Sequence, residues 1–152
     1  MLKFLFMCTA NRFRSKLEEA TASKIFNTMI ETDSCGIGSK KYGLSSPSKL
    51  IVKSVSKGLS EKIFLKKSKE INLHLVKWSD VIVYQQKNHL AKLINLYPKY
   101  KYKFVYLGDF YKKEKITRIP DLAFISNDKD YNEAMNLIII STINLVNHYV
   151  KK

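Results

Sequence analysis

Cysteine is scarce in this chain: Cys8 and Cys35 are the two thiols among 152 residues. Two thiols cannot build the disulfide framework of a small secreted domain, so a reducing, cytoplasmic setting is expected. Long apolar runs are missing as well. No stretch approaches the roughly 20 residues that span a bilayer, and no membrane role is expected. The apolar start, Leu2-Lys3-Phe4-Leu5-Phe6-Met7, lacks a small-residue cleavage site and leads into charged Arg12 and Arg14. It reads as a buried strand and not as a signal peptide. The three histidines, His74, His89 and His148, stand at no metal-ligand spacing and read as surface or half-buried residues. No metal and no cofactor is expected. No repeat or low-complexity linker divides the sequence, so one domain over residues 1–152, large enough for a sizeable core, is expected.

Acidic residues are also few, 13 against 27 Lys and Arg, for a formal net charge of +14. Much of the excess lies in 62–77 and 99–115. Such a charge keeps a protein soluble and attracts anionic substrates. Interleaved tyrosines at Tyr97, Tyr100, Tyr102, Tyr106 and Tyr111 raise a nucleic-acid partner as a second reading, ranked below the first. The alternation Tyr100-Lys101-Tyr102-Lys103 is the pattern of a strand with one wet face.

What is present is an alternation of short apolar runs with helical periodicity. Strands are predicted at 2–7, 32–36, 80–84 and 103–107, each mostly apolar as in a parallel sheet buried on both faces. Helices are predicted near 16–30, 47–57, 68–77, 87–97 and 128–150. In the last, Met135, Ile138, Ile139, Thr142, Leu145, Val146 and Tyr149 form one stripe that reads as core, with Asn127-Asp128 offering a cap. Strands alternating with helices predict a doubly wound α/β sheet with right-handed crossovers.

The densest chemistry follows the first strand, in Cys8-Thr9-Ala10-Asn11-Arg12-Phe13-Arg14-Ser15. A strand–loop–helix turn aims backbone N–H groups at one point beside a helix N-terminus, which makes an anion site. The same field favours the thiolate form of a cysteine placed there. An arginine can hold two phosphate oxygens through its planar fork, and Ser15 can donate to the thiolate or cap the helix. A lone C-x5-R arises by chance, and a cysteine ending a strand is often a small buried hydrophobe. Here the loop sits where open α/β sheets bind ligands. Nucleophile, anion cradle and clamp point to phosphoryl transfer through a phosphocysteine.

These residues resemble the low-molecular-weight protein tyrosine phosphatases, whose nucleophile loop reads C-x-x-N-x-x-R-S after the first strand. Cys8, Asn11, Arg14 and Ser15 fill its fixed positions, with Thr9, Ala10, Arg12 and Phe13 between them. Asp33-Ser34-Cys35-Gly36 resembles the family's D-S-A-G segment. Gly43 and Pro47 fall near its next turn, Trp78 to Val83 resembles the entry to its third strand, and Ile119-Pro120-Asp121-Leu122 resembles V-P-D-P with its general acid. The resemblance implies four parallel strands in the order 2-1-3-4 with helices on both faces. It also implies Asn11 in a left-handed conformation, Ser34 bracing it, and Asp121 as acid. Leu122 and Ala123 replace the family's Pro and first aromatic, which leaves Phe124, with Tyr42 as a second wall residue.

The activity this implies is metal-independent hydrolysis of phosphomonoesters. The substrate would be a phosphorylated protein or a small phosphomonoester, attacked by Cys8, clamped by Arg14 and protonated by Asp121. Two rivals stand beside it. An arsenate reductase shares this fold and loop but resolves its thiol adduct through later cysteines, and none follows Cys35. The other rival is a basic nucleic-acid or phosphoprotein binding module with weak turnover. Cys35 reads as packing, Tyr131 as core.

Overall fold

The computed structural model describes residues 1–38 and 43–151. Tyr42 therefore lies outside the described residues. Strand β1 (Leu2–Cys8) is the centre of the sheet because Phe4 to Met7 are apolar on both faces and all four are buried. It pairs in parallel with β2 (Ile30–Gly36) on one side and β3 (Val81–Tyr84) on the other, and β3 pairs with β4 (Phe104–Tyr106). The sheet order is β2-β1-β3-β4, the order expected.

Successive side chains on a strand face opposite ways, and β1 accordingly divides its residues between two cores. Phe4 and Phe6 pack with residues of helices α1 (Arg14–Phe26) and α6 (Asp128–Val150), among them Leu17, Ala20, Met135, Ile138 and Leu145. Leu5 and Met7 pack on the other side with Ile82 and with Leu75, Val76 and Leu93 from α4 (Leu73–Trp78) and α5 (Lys87–Leu96). In sequence between β2 and α4 come α2 (Ser48–Ser56) and the short α3 (Glu61–Leu65); the periodicity did not predict α3, which buries Phe64 in the first of these cores. The side chain of Asn127 accepts from the Asp130 N–H and starts α6 as expected. Truncating a buried α6 residue such as Ile138 to Ala costs roughly 2–5 kcal/mol. No helix of the described residues is long and apolar enough to cross a membrane.

Three predicted elements differ, the first being the helix expected over 16–30, which ends at Phe26 and leaves Ile30 to begin β2. The helix expected over 68–77 begins only at Leu73, capped by Asn72, whose side chain accepts from Leu75 N–H. The residues before it are drawn to the sheet: Gly36 N–H donates to Lys69 carbonyl and Ile71 N–H to Gly36 carbonyl, both at 2.8 Å. The alternating Tyr100–Lys103 segment is not a strand with a wet face but part of a 3-10 helix, Pro98–Lys103. Pro98 fixes the first backbone angle of that turn. Lys103 is buried and its Nζ donates to the carbonyls of Val76 at 2.7 Å and Ser79 at 2.5 Å. It thus satisfies carbonyls that the end of α4 leaves open.

Candidate active site

Cys8 is the last residue of β1, in register with Gly36, and its thiol is buried. The loop that follows turns sharply at Asn11, whose φ of 56° lies in the left-handed region that Asn tolerates. The Asn11 side-chain amide donates to Ser15 Oγ at 2.9 Å and Ser34 Oγ at 3.0 Å, and its carbonyl accepts from Lys69 N–H at 3.0 Å. Ser34 in turn donates to Glu19 at 2.6 Å, and Lys66 pairs with the other Glu19 oxygen at 2.6 Å. This buried network holds the loop from below. Ser15 Oγ lies 3.0 Å from Cys8 Sγ. No hydrogen bond among the described residues takes the backbone N–H groups of Ala10 through Ser15. Those donors stand beside the start of α1, an arrangement able to bind an anion.

Gly36 is what lets the loop close. A Cβ there would stand 2.5 Å from the Thr9 carbonyl oxygen and 3.2 Å from Asn11 N. The sequence at this point must be glycine for the second strand to lie against the loop backbone.

Arg14 is 2% exposed, and its fork is partly committed. Nη1 donates to Gln86 Oε1 at 2.8 Å and to the Ile119 carbonyl at 3.0 Å, which uses both of its hydrogens. Nη2 lies 3.6 Å from Asp121 Oδ2. The Nε–Nη2 edge is left as the one that can take two oxygens of a phosphoryl group. Asp121 also caps the short turn Leu122–Phe124 through Ala123 N–H, which fixes its carboxylate on the segment facing the loop. Cys8, Thr9, Ala10, Arg12, Phe13, Arg14 and Asp121 line one cleft of about 590 Å³. Phe124 is 83% exposed and is among the residues that line the cleft. Arg12 is steered by Ser45, whose carbonyl accepts from its Nε at 3.1 Å.

Three neighbours of the loop were not singled out from the sequence. Gln86 orients Arg14; it lies just past the end of β3, on the same sheet edge as Cys8, and that position was the available signal. His89 is buried rather than at the surface. Its Nδ1 accepts from Gln85 N–H at 3.3 Å, so its Nε2 carries the proton and donates to Thr9 Oγ1 at 2.9 Å. Burial first, then the charges of Arg14, Lys92 and Arg118, lower its pKa to about 3, and the ring stays neutral. Glu18 is fully buried on α1, one turn after Arg14, with Gln85 Nε2 donating to it at 2.7 Å. Burial pushes its carboxyl well above the usual range against the opposing pulls of Gln85 and Arg14. Nothing in the helical pattern announced a buried carboxylic acid there.

The family model for low molecular weight phosphotyrosine protein phosphatase matches residues 3–152. The chain belongs to this family. Membership makes it a cysteine-dependent phosphatase, a hydrolase with phosphorylated substrates. No curated protein matches the sequence. Among solved structures, a protein tyrosine phosphatase from Entamoeba histolytica superposes with a TM-score of 0.88 at 23% identity, over 100% of this chain and 97% of that one. YfkJ from Bacillus subtilis gives 0.87 at 20% identity, covering 99% and 96%. The YwlE arginine phosphatase from Geobacillus stearothermophilus gives 0.85 at 18%, covering 99% and 94%. At such identities these likenesses speak for the fold of this phosphatase.

Proposed function

We propose that this phosphatase hydrolyses phosphomonoesters on proteins, phosphotyrosine foremost, through a phosphocysteine on Cys8 and without a metal. The observation that carries the reading is the Cys8 thiol, 3.0 Å from the Ser15 hydroxyl, at the foot of a cleft that also gathers Arg14, Asp121 and a ring of uncommitted amides. Cys8 Sγ attacks phosphorus as the ester P–O bond breaks. The Asp121 proton passes to the departing oxygen. The Nε–Nη2 edge of Arg14 and the N–H groups of Ala10 through Ser15 hold the equatorial oxygens as charge builds on them. Water then attacks phosphorus, gives a proton to Asp121, and the S–P bond breaks to return the thiolate. Ser15 steadies that thiolate as leaving group, and Asn11 and Ser34 keep the loop in shape.

The arsenate-reductase alternative has little to draw on, because Cys35, the second thiol, is fully buried opposite Met7 in the sheet. Burial first, with the nearby Cys8 and Asp33 adding to it, raises the Cys35 pKa well above that of a free thiol. The net charge of +14 serves to draw phosphorylated anions to the cleft rather than to bind nucleic acid. A thiolate nucleophile calls for a reducing compartment, the cytoplasm. The test is turnover of an aryl phosphate with a metal chelator present. We expect full activity there, inhibition by vanadate, and loss of at least a thousandfold in Cys8→Ser, on the order of what removal of a nucleophile costs. Loss of activity to the chelator, or a Cys8→Ser variant of normal rate, would overturn the reading.

A further inference from the structure

A second cavity, about 310 Å³, adjoins the phosphatase cleft, and Tyr84, Lys87, Tyr106, Asp109, Lys115 and Thr117 are among its lining residues. The two share a wall. Gln86 and Arg118 face each other across an antiparallel bridge and line the cleft, and their immediate neighbours Lys87 and Thr117 line the cavity. Its aromatic side is the pair Tyr84 and Tyr106, stacked with ring centroids 5.6 Å apart. Tyr106 is fixed by a 3.0 Å hydrogen bond from its hydroxyl to the Ile116 carbonyl. Lys87, Lys115 and Arg118 are exposed and enter no ion pair among the described residues. The carboxylate facing them is that of Asp109, so the local balance is cationic.

We propose that this cavity is a subsite for an acidic side chain flanking the phosphorylated residue, so that the enzyme selects phosphopeptides with Asp or Glu close to the phosphate. The inference rests on reading the cleft as a phosphatase active site. A carboxylate seated between Lys87 and Lys115, with Arg118 on the shared wall, finds the charge that the protein itself leaves unpaired. The tyrosine stack receives the methylene stem of that side chain. An extended peptide advances about 3.3–3.6 Å per residue, and the lining residues of the two cavities are sequence neighbours. The acidic residue therefore lies within two or three positions of the phosphorylated one.

Two synthetic phosphotyrosyl peptides test this, alike except for Glu or Gln at the flanking positions. The wild type is expected to favour the Glu peptide by roughly tenfold in kcat/KM at low salt, as two or three exposed charge pairs allow. In Lys87→Glu/Lys115→Glu the ratio should fall to about one or below. The control is Lys99→Glu/Lys101→Glu, the same change of net charge on exposed residues of the 3-10 helix that precedes β4, at the other end of the sheet. It should keep most of the preference. A wild-type ratio near one overturns the inference and leaves the phosphatase reading standing. An equal fall in both double variants overturns it too, because the overall field then accounts for the preference. Turnover of neither peptide overturns the reading of phosphotyrosyl proteins as substrates, and the subsite with it.

Discussion

At the scale of single residues, the proposed mechanism turns on Arg14 and Asp121. The guanidinium is held on one side by Gln86 and the Ile119 carbonyl, so its orientation is set before a phosphate arrives and little freedom is lost on binding. Asp121 sits 3.6 Å from the same guanidinium on a capped turn. If it is the acid, its value depends on the leaving group. An alkoxide must be protonated as it departs, whereas a nitrophenolate leaves unaided. Asp121→Asn is therefore expected to cost on the order of a hundredfold with phenyl or alkyl phosphates and far less with nitrophenyl phosphate. An equal, small loss across the series would move the acid to Glu114 or Asp128. Cys8, Arg14 and Ser15 were legible because their spacing in one short loop carries its own chemistry. Gln86 and His89 were not, because they reach the loop only through the pairing of β3 with β1, some 70 or more residues away in sequence.

At the scale of elements, β2 ends in close contact with the loop backbone. Gly36 N–H and carbonyl are both engaged by Lys69 and Ile71, and the space beside its Cα is filled by Thr9 and Ala10 backbone. Gly36→Ala must push the loop by several tenths of an ångström or more. A displacement of about 1 Å can cost a hundredfold in rate, while overpacking costs about 1–3 kcal/mol of stability. We expect a variant that folds, melts at a lower temperature and loses vanadate affinity together with turnover. Normal activity and affinity would show that the loop does not depend on this contact. At this scale the four strands and five of the six α-helices among the described residues were readable from apolar runs and helical stripes. The misread pieces have physical causes. Tyr100–Lys103 alternates like a strand, yet Lys103 is taken by the open carbonyls at the end of α4. Residues 68–71 look helical, yet their backbone is pulled alongside β2.

For the whole molecule, two buried groups beside the site set opposite pH trends. His89 has a pKa near 3 when folded against 6.5 when free. Between those values the unfolded chain takes up a proton that the folded one refuses, so stability falls as pH drops below about 6.5. Glu18, raised well above 4.5, does the reverse: above 4.5 the folded protein holds a proton that the unfolded chain has lost, so stability falls as pH rises. His89→Gln should therefore reduce the loss of unfolding free energy between pH 7 and pH 5 by roughly 2 kcal/mol, at about 1.4 kcal/mol per pH unit for one proton. Glu18→Gln should steepen that loss, since it removes the opposing trend. Denaturant unfolding across this range checks both, and unchanged slopes in the two variants would contradict the assignment of these groups.

The central claim is the covalent intermediate on Cys8, and a mass spectrum of the phosphatase quenched during steady turnover of an aryl phosphate reads it directly. The account predicts one phosphoryl group per chain, mapped to the peptide that carries Cys8 and absent from Cys8→Ser. Steady turnover with no phosphorylated enzyme, or with the phosphoryl group on His89 or another residue, would contradict it.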